Sequence, residues 1–224
     1  MWIYRISVVI WISIYHIFNY GFNQILYKFS LIGGEEMKKV VLISAKAQNG
    51  KDTAADLMKS YLESKGDKVL ICHYADLLKY ICKTFFNWDG NKDDKGRTIL
   101  QHVGTDIIRD ENNRPDYWID FIIDILWMFY DEWDYVLIAD ARFENEIEKI
   151  KSEFNGSLDY NLVQSVRVNR QNNDNKMTDE QRNHISECAL DNYKFDHYIE
   201  NNGTLSELKI KVKDLLDKID SGVV

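Results

Sequence analysis

Proline is almost missing from this chain, with one residue in 224, and glycine is scarce at 11. That composition excludes collagen-like and proline-rich chains and argues against an all-β or disordered one. Cysteine is limited to Cys72, Cys82 and Cys188. No pair has C-x-x-C spacing and no histidine pair stands at metal-ligand spacing, so a disulfide or zinc framework is not expected. Thiols in a reducing compartment are. Net positive charge is also lacking. The formal charge is −8, which excludes a polyanion binder, because nucleic acid polymers need a cationic surface. A small anion can still bind where a few Lys, Arg and backbone N–H groups converge. What is present is ordinary for a soluble globular domain: 45% hydrophobic and 29% charged residues, enough for one domain with room for an appendage.

Charge is absent from one further place. Between Arg5 and Lys28 there is no Asp, Glu, Lys or Arg, and Ile6 to Tyr15 is strongly apolar. The stretch is long enough to span a bilayer, with Trp and Tyr near its ends and no small-residue cleavage site. At face value it is a membrane anchor. The genetic code offers another reading. Gly33-Gly34-Glu35-Glu36 directly before Met37 implies a purine-rich run ahead of an ATG, as in a translated ribosome-binding site. The expectation is that residues 1–36 are a mis-assigned start outside the native protein and that 37–224 is the functional domain. A membrane partner is then not expected, and the protein belongs in the cytoplasm of a bacterial or phage-infected cell.

From Met37 onward, apolar strands alternate with helical patterns. Strands are predicted over 39–44, 68–73, 135–139, 163–168 and 196–200. Helices are predicted over 53–64, 76–86, 97–109, 116–131, 143–154, 180–190 and 205–219. Residues 87–96 are polar and read as an exposed loop. Asp89, Asn91 and Asp93 mimic the start of a calcium loop, but Asp94 replaces the required Gly and Leu100 the bidentate Glu, so calcium is not expected. The alternation implies an α/β fold, a parallel sheet flanked by helices. Ligands in such sheets bind at the carboxyl ends of the strands.

Ser44 to Thr53 carries the chemistry. The phosphate-loop pattern is G-x-x-x-x-G-K-[ST]; here Ala45 replaces the first Gly, Gly50-Lys51 fit, and Asp52 replaces the hydroxyl, with Thr53 following. Successive backbone N–H groups form a nest for phosphate oxygens, and the next helix presents its positive end. Lys51 can reach the outer phosphates as a point charge. A glycine turn with an exposed lysine is the bland alternative; the flanking strand and helix favour phosphate.

At this point the sequence resembles the phage-type deoxynucleoside monophosphate kinases. The resemblance is carried by Ala47-Gln48-Asn49-Gly50-Lys51-Asp52-Thr53-Ala54-Ala55-Asp56 and by Tyr74-Ala75-Asp76-Leu77-Leu78-Lys79. It continues with Leu100 to Asp106, Arg109 and Trp118, with Asp140 to Glu146, and with His184 to Glu187, Leu190-Asp191 and Phe195-Asp196. It implies a P-loop three-layer fold with a helical acceptor-binding insertion and a lid. It also implies transfer of a phosphoryl group from ATP, with Mg²⁺, to a deoxynucleoside monophosphate, and leaves a homodimer open.

The donor side is then expected to include Ala47, Asn49, Gly50, Lys51, Asp52 and Thr53, with Arg170 and Arg182 as arginines of a lid over 171–181. The acceptor side takes Tyr74, Asp76, Lys79, Gly104, Thr105, Arg109, Trp118 and Asp120. Asp140 and Asp52 are the metal candidates. Lys51, Asp140 and Arg142 are the catalytic ones, Lys51 by neutralising charge on the transferred group. Each has a plainer reading: Asp140 as a helix cap, Arg142 in a salt bridge to Glu144 or Glu146, Lys79 as a solvated charge, Trp118 as core, and the lid as a surface loop. His184 reads as structural. Another small-molecule P-loop kinase, or a nucleotide-binding switch without an acceptor, remains open.

Overall fold

The computed structural model describes residues 37–158, 162–171 and 178–222. The expectations for residues 1–36, and residues 172–177 of the lid expected over 171–181, lie outside the described residues. Among the described residues no helix is long and apolar enough to cross a membrane.

Five strands form one parallel sheet: β1 (Lys39–Ser44), β2 (Val69–Cys72), β3 (Tyr135–Ile138), β4 (Val163–Asn169) and β5 (His197–Glu200), in the order β2-β3-β1-β4-β5. β1 is central, with Val41 beside Leu137 on one side and beside Gln164 on the other. It is paired on both edges and covered on both faces, which is why its run Val40-Val41-Leu42-Ile43 is unbroken rather than alternating. Val41 and Ile43 face one core layer with Met58, Leu62, Leu137, Val212 and Leu216. That layer is closed by α1 (Lys51–Ser64) and α8 (Leu205–Ser221). Val40 and Leu42, of opposite parity, are equally buried.

The remaining helices are α2 (Ala75–Phe85), α3 (Asp94–Gln101), α4 (Tyr117–Met128), α5 (Glu144–Leu158), α6 (Asp179–Asn183) and α7 (Ile185–Cys188). α3 runs directly into a π-helix, His102–Glu111. The order β2-β3-β1-β4-β5 puts a topological switch at β1: the chain leaves β1 toward β2 and β3 and later crosses to β4 on its other side. The loop after β1 opens there.

Two predicted helices differ most. The helix expected over 97–109 starts earlier, at Asp94, because the Asp93 carboxylate caps it, accepting from Gly96 N–H at 2.8 Å. It then widens into the π-helix, where Val103, Gly104, Thr105 and Arg109 are buried. The helix expected over 180–190 is broken at His184, whose extended backbone (ψ 141°) starts a new short helix and whose ring accepts from Ser186 N–H.

Candidate active site

The loop after β1 is held from outside itself. Gly50 has φ 90°, in the left-handed region, and Gln48 has φ 63°. Ala45 is not among the positive-φ residues, so losing the first glycine of the pattern costs the backbone nothing there. The Asn201 side chain, after β5, donates to the Asn49 carbonyl at 3.0 Å. A Cβ on Gly50 would lie 2.4 Å from Asn201 Nδ2. Glycine is therefore required twice, by backbone conformation and by close approach. No side chain caps α1, which leaves its first N–H groups open to an anion. Lys51 pairs with Asp52. Burial raises the Asp52 carboxyl, but the hydrogen bond and charge of Lys51 outweigh this and hold it below its ordinary value. Thr53 is exposed on α1, and Ala47 and Asn49 belong to the loop backbone.

Behind the loop, buried Arg167 at the end of β4 donates to Ser44 Oγ at 2.8 Å. Asp191 lies 3.5 Å from that guanidinium and 2.8 Å from Lys46 Nζ.

The ends of β2 and β3 are fastened together by Asp140. Its two carboxylate oxygens accept from the N–H groups of Tyr74 (2.8 Å) and Ala75 (3.0 Å). It thus caps the start of α2, not the helix that follows it in sequence. Tyr74 in turn donates its hydroxyl to the Glu146 carbonyl at 2.7 Å. Glu146 accepts from the backbone of Arg142 and Phe143 and pairs with the buried Arg109 guanidinium. Burial pushes the Glu146 carboxyl up to about 7, against the lowering pull of Arg109. Arg109 also donates to the Pro115 carbonyl at 2.7 Å and lies 4.1 Å over the Phe143 ring. Arg142 binds neither Glu144 nor Glu146 through its side chain; it pairs with Glu187 and reaches the Ser186 carbonyl at 3.2 Å.

The π-helix brings Gly104 against α2, where a Cβ would lie 2.6 Å from Leu78 Cδ2. Buried Trp118 donates its indole N–H to the Gly104 carbonyl at 3.1 Å.

These groups open onto one cleft of about 210 Å³. From the start of α1, just after the loop that follows β1, come Lys51 and Asp52; from the strand ends come Tyr74, Asp140 and Arg142. Lys79, Gly104, Thr105, Arg109 and Trp118 complete the sequence-predicted lining. Other expected residues lie elsewhere. Asp120 pairs with Lys149 at 2.6 Å on the outer side of α4, because two residues along a helix from Trp118 puts it on another face. Asp76 accepts from His73 and from Lys79 at 2.7 Å and does not line the cleft. Arg170 is exposed past β4, and Arg182 lies 3.4 Å from Asp179.

Residues 72–212 match the sequence model of the deoxynucleotide monophosphate kinase family. The chain belongs to that family. One curated relative, the deoxynucleotide monophosphate kinase of Enterobacteria phage T4, is 30% identical over 121 residues. The matched stretch is 54% of this chain and 44% of the phage protein, so it spans under half the length of that relative. Looser likenesses exist to solved structures. An APS kinase of Mycobacterium tuberculosis in complex with AMPPNP and APS is 14% identical, with TM-score 0.42, covering 82% of this chain and 99% of that one. Shikimate kinase from Aquifex aeolicus is 12% identical, with TM-score 0.40, covering 82% and 97%.

In this family member the cleft also contains residues that the sequence reading did not single out. Lys92, Arg97 and Gln101 line it from the insertion, and Glu146 and Glu187 from the far side. The His-Ile-Ser-Glu block was a signal for Glu187. Nothing local marks Lys92, which sits in a run of polar residues.

Proposed function

We propose that this chain transfers the γ-phosphoryl group of ATP to a deoxynucleoside monophosphate in the cytoplasm, giving ADP and the diphosphate, with residues 37–224 as the kinase domain. The observation that carries the reading is the shared cleft: Lys51 of the phosphate loop and Trp118 and Thr105 of the helical insertion face the same cavity. Two nucleotides meeting head to head need that arrangement.

The donor phosphates would lie at the loop, where Gly50 and Gln48 take left-handed backbone conformations of the kind that build an anion nest and α1 adds its positive end. A phosphate oxygen of the acceptor attacks the γ-phosphorus. The bond from that phosphorus to the β–γ bridging oxygen breaks, and ADP leaves with the electron pair. The acceptor phosphate is already ionised, so no general base is required. Lys51 leaves Asp52 for the donor phosphates and offsets charge on the transferred group. Arg142, restrained by Glu187, is the second cation at the transfer point.

The donor set fits Mg²⁺, which binds through one or two carboxylates plus phosphates and water. Asp52 and Asp140 both face the cleft and would hold it, Asp140 through its remaining lone pairs. When bound, the ion neutralises charge on the donor phosphates.

The test is ADP formation by the full chain with ATP, Mg²⁺ and each deoxynucleoside monophosphate in turn. Acceptor-dependent turnover should fall about 10²–10³-fold in Lys51→Ala. Turnover of the intact chain no greater than that of the variant defeats the reading.

A further inference from the structure

The turn that joins β3 to α5 carries both Asp140 and Arg142, and distant residues fix it. Ala139 N–H donates to the Cys72 carbonyl at 3.0 Å and Ala141 N–H to the Ile43 carbonyl at 3.2 Å. The N–H groups of Arg142 and Phe143 both donate to one carboxylate oxygen of Glu146, at 2.6 and 3.1 Å. The other oxygen pairs with Arg109, near the end of the π-helix. The backbone carbonyl of Glu146 accepts the Tyr74 hydroxyl, so the residue before α2 is fastened there too. One residue thus joins the turn, α5, the insertion and the end of β2.

Helix capping alone does not account for this. Phe143, just before α5, has no side-chain acceptor, and a Glu at the third helical position that reaches back is half of a capping box. An exposed Glu or Gln performs that task as well. Glu146 is 3% exposed and Arg109 7%. Desolvating such ions costs several kcal/mol each, and a buried pair often adds nothing to stability over apolar side chains of like volume. Both residues line the cleft, as does Arg142. The cost is therefore concentrated beside the cation proposed above for the transfer point.

We infer that Glu146 is a positioning residue for phosphoryl transfer: by gripping the backbone of Arg142 and Phe143 it sets where the Arg142 guanidinium stands. The inference rests on the kinase reading above. Glu187 and the Ser186 carbonyl hold the far end of the Arg142 side chain, and Glu146 holds its backbone. Arg109 is the counter-charge that opposes protonation of the buried carboxylate. A displacement of about 1 Å at such a point costs up to about a hundredfold in rate.

The test compares kcat and KM of two double variants of the full chain, Arg109→Met with Glu146→Gln and Arg109→Met with Glu146→Met. Each removes both buried charges, so neither leaves one orphaned. Only the first keeps an oxygen for the two N–H groups. Its kcat should exceed that of the second about tenfold to a hundredfold, with KM for ATP and for the acceptor alike within about threefold. With Arg142→Met added to both, the difference should shrink below about twofold, because nothing remains to be aimed. Glu146→Asp in the otherwise unaltered chain keeps the charge for Arg109 but draws the carboxylate back by one methylene. It should lose kcat in the same way, and it decides the matter if thermal unfolding shows that the Met variant does not fold. Equal kcat in the two double variants, or an unchanged kcat in Glu146→Asp, overturns the inference and leaves the kinase reading intact. A difference that persists without Arg142, or a loss confined to KM, overturns it as well, since Glu146 then acts by another route. If the unaltered chain phosphorylates no deoxynucleoside monophosphate, the kinase reading fails and the inference falls with it.

Discussion

Replacing Gly50 with alanine separates two costs that the structure places on one residue. The first is conformational: φ is 90°, and an L-residue in the left-handed region costs about 1–2 kcal/mol. The second is steric. The new Cβ would lie 2.4 Å from Asn201 Nδ2, so the amide must leave, and with it the 3.0 Å hydrogen bond to the Asn49 carbonyl, a further ~1 kcal/mol. The sum is about 2–3 kcal/mol. For a domain of this size each kcal/mol moves Tm by about 2–4 °C, so thermal unfolding should shift down by about 4–12 °C. ATP affinity should fall with it, because the displaced amide braces the loop. The decisive assay is a double-mutant cycle with Asn201→Ala. In that background Gly50→Ala should cost only the conformational share, leaving a coupling of about 1 kcal/mol. Additivity within about 0.3 kcal/mol would refute the claim that Asn201 and Gly50 compete for the same space.

Trp118→Phe should leave the Gly104 carbonyl unpaired, costing about 1–3 kcal/mol by urea unfolding, and should raise the acceptor KM more than the ATP KM. Trp118→Ala should cost about 3–5 kcal/mol, and a loss under 1 kcal/mol would show that the indole is not anchored as described. The His197 ring, partly buried beside Gln164, is held by burial below its ordinary 6.5. Its folded state binds fewer protons than the unfolded chain, so its contribution is fully present above 6.5 and is lost as pH falls through the folded value. The unaltered chain should therefore lose more stability between about pH 7.5 and pH 5.5 than His197→Gln, and equal losses would contradict this.

The loop after β1 was legible because it is local. Gly50, Lys51 and the flanking strand and helix are contiguous, and the structure keeps their order. Arg142 was found, but its partner was not, since Glu187 is distant in sequence whereas Glu144 and Glu146 stood close by. Glu146 looked like one more charge on an acidic helix; only the tertiary fold shows it buried against Arg109. Asp120 could have been set aside from spacing alone, because residues two apart on a helix do not share a face. The π-helix has no simple sequence period, and its wider turn shows only in how Gly104 meets Leu78. Lys92 and Arg97 were missed because only the tertiary fold brings their polar segment to the cleft, which no single segment records.

The central claim is that one cleft holds both donor and acceptor. Label transfer from γ-labelled ATP tests it most directly. With each deoxynucleoside monophosphate present, the label should appear in the corresponding deoxynucleoside diphosphate. Label released only as inorganic phosphate, at a rate indifferent to the acceptor, would contradict the account and point to a nucleotide-binding switch instead.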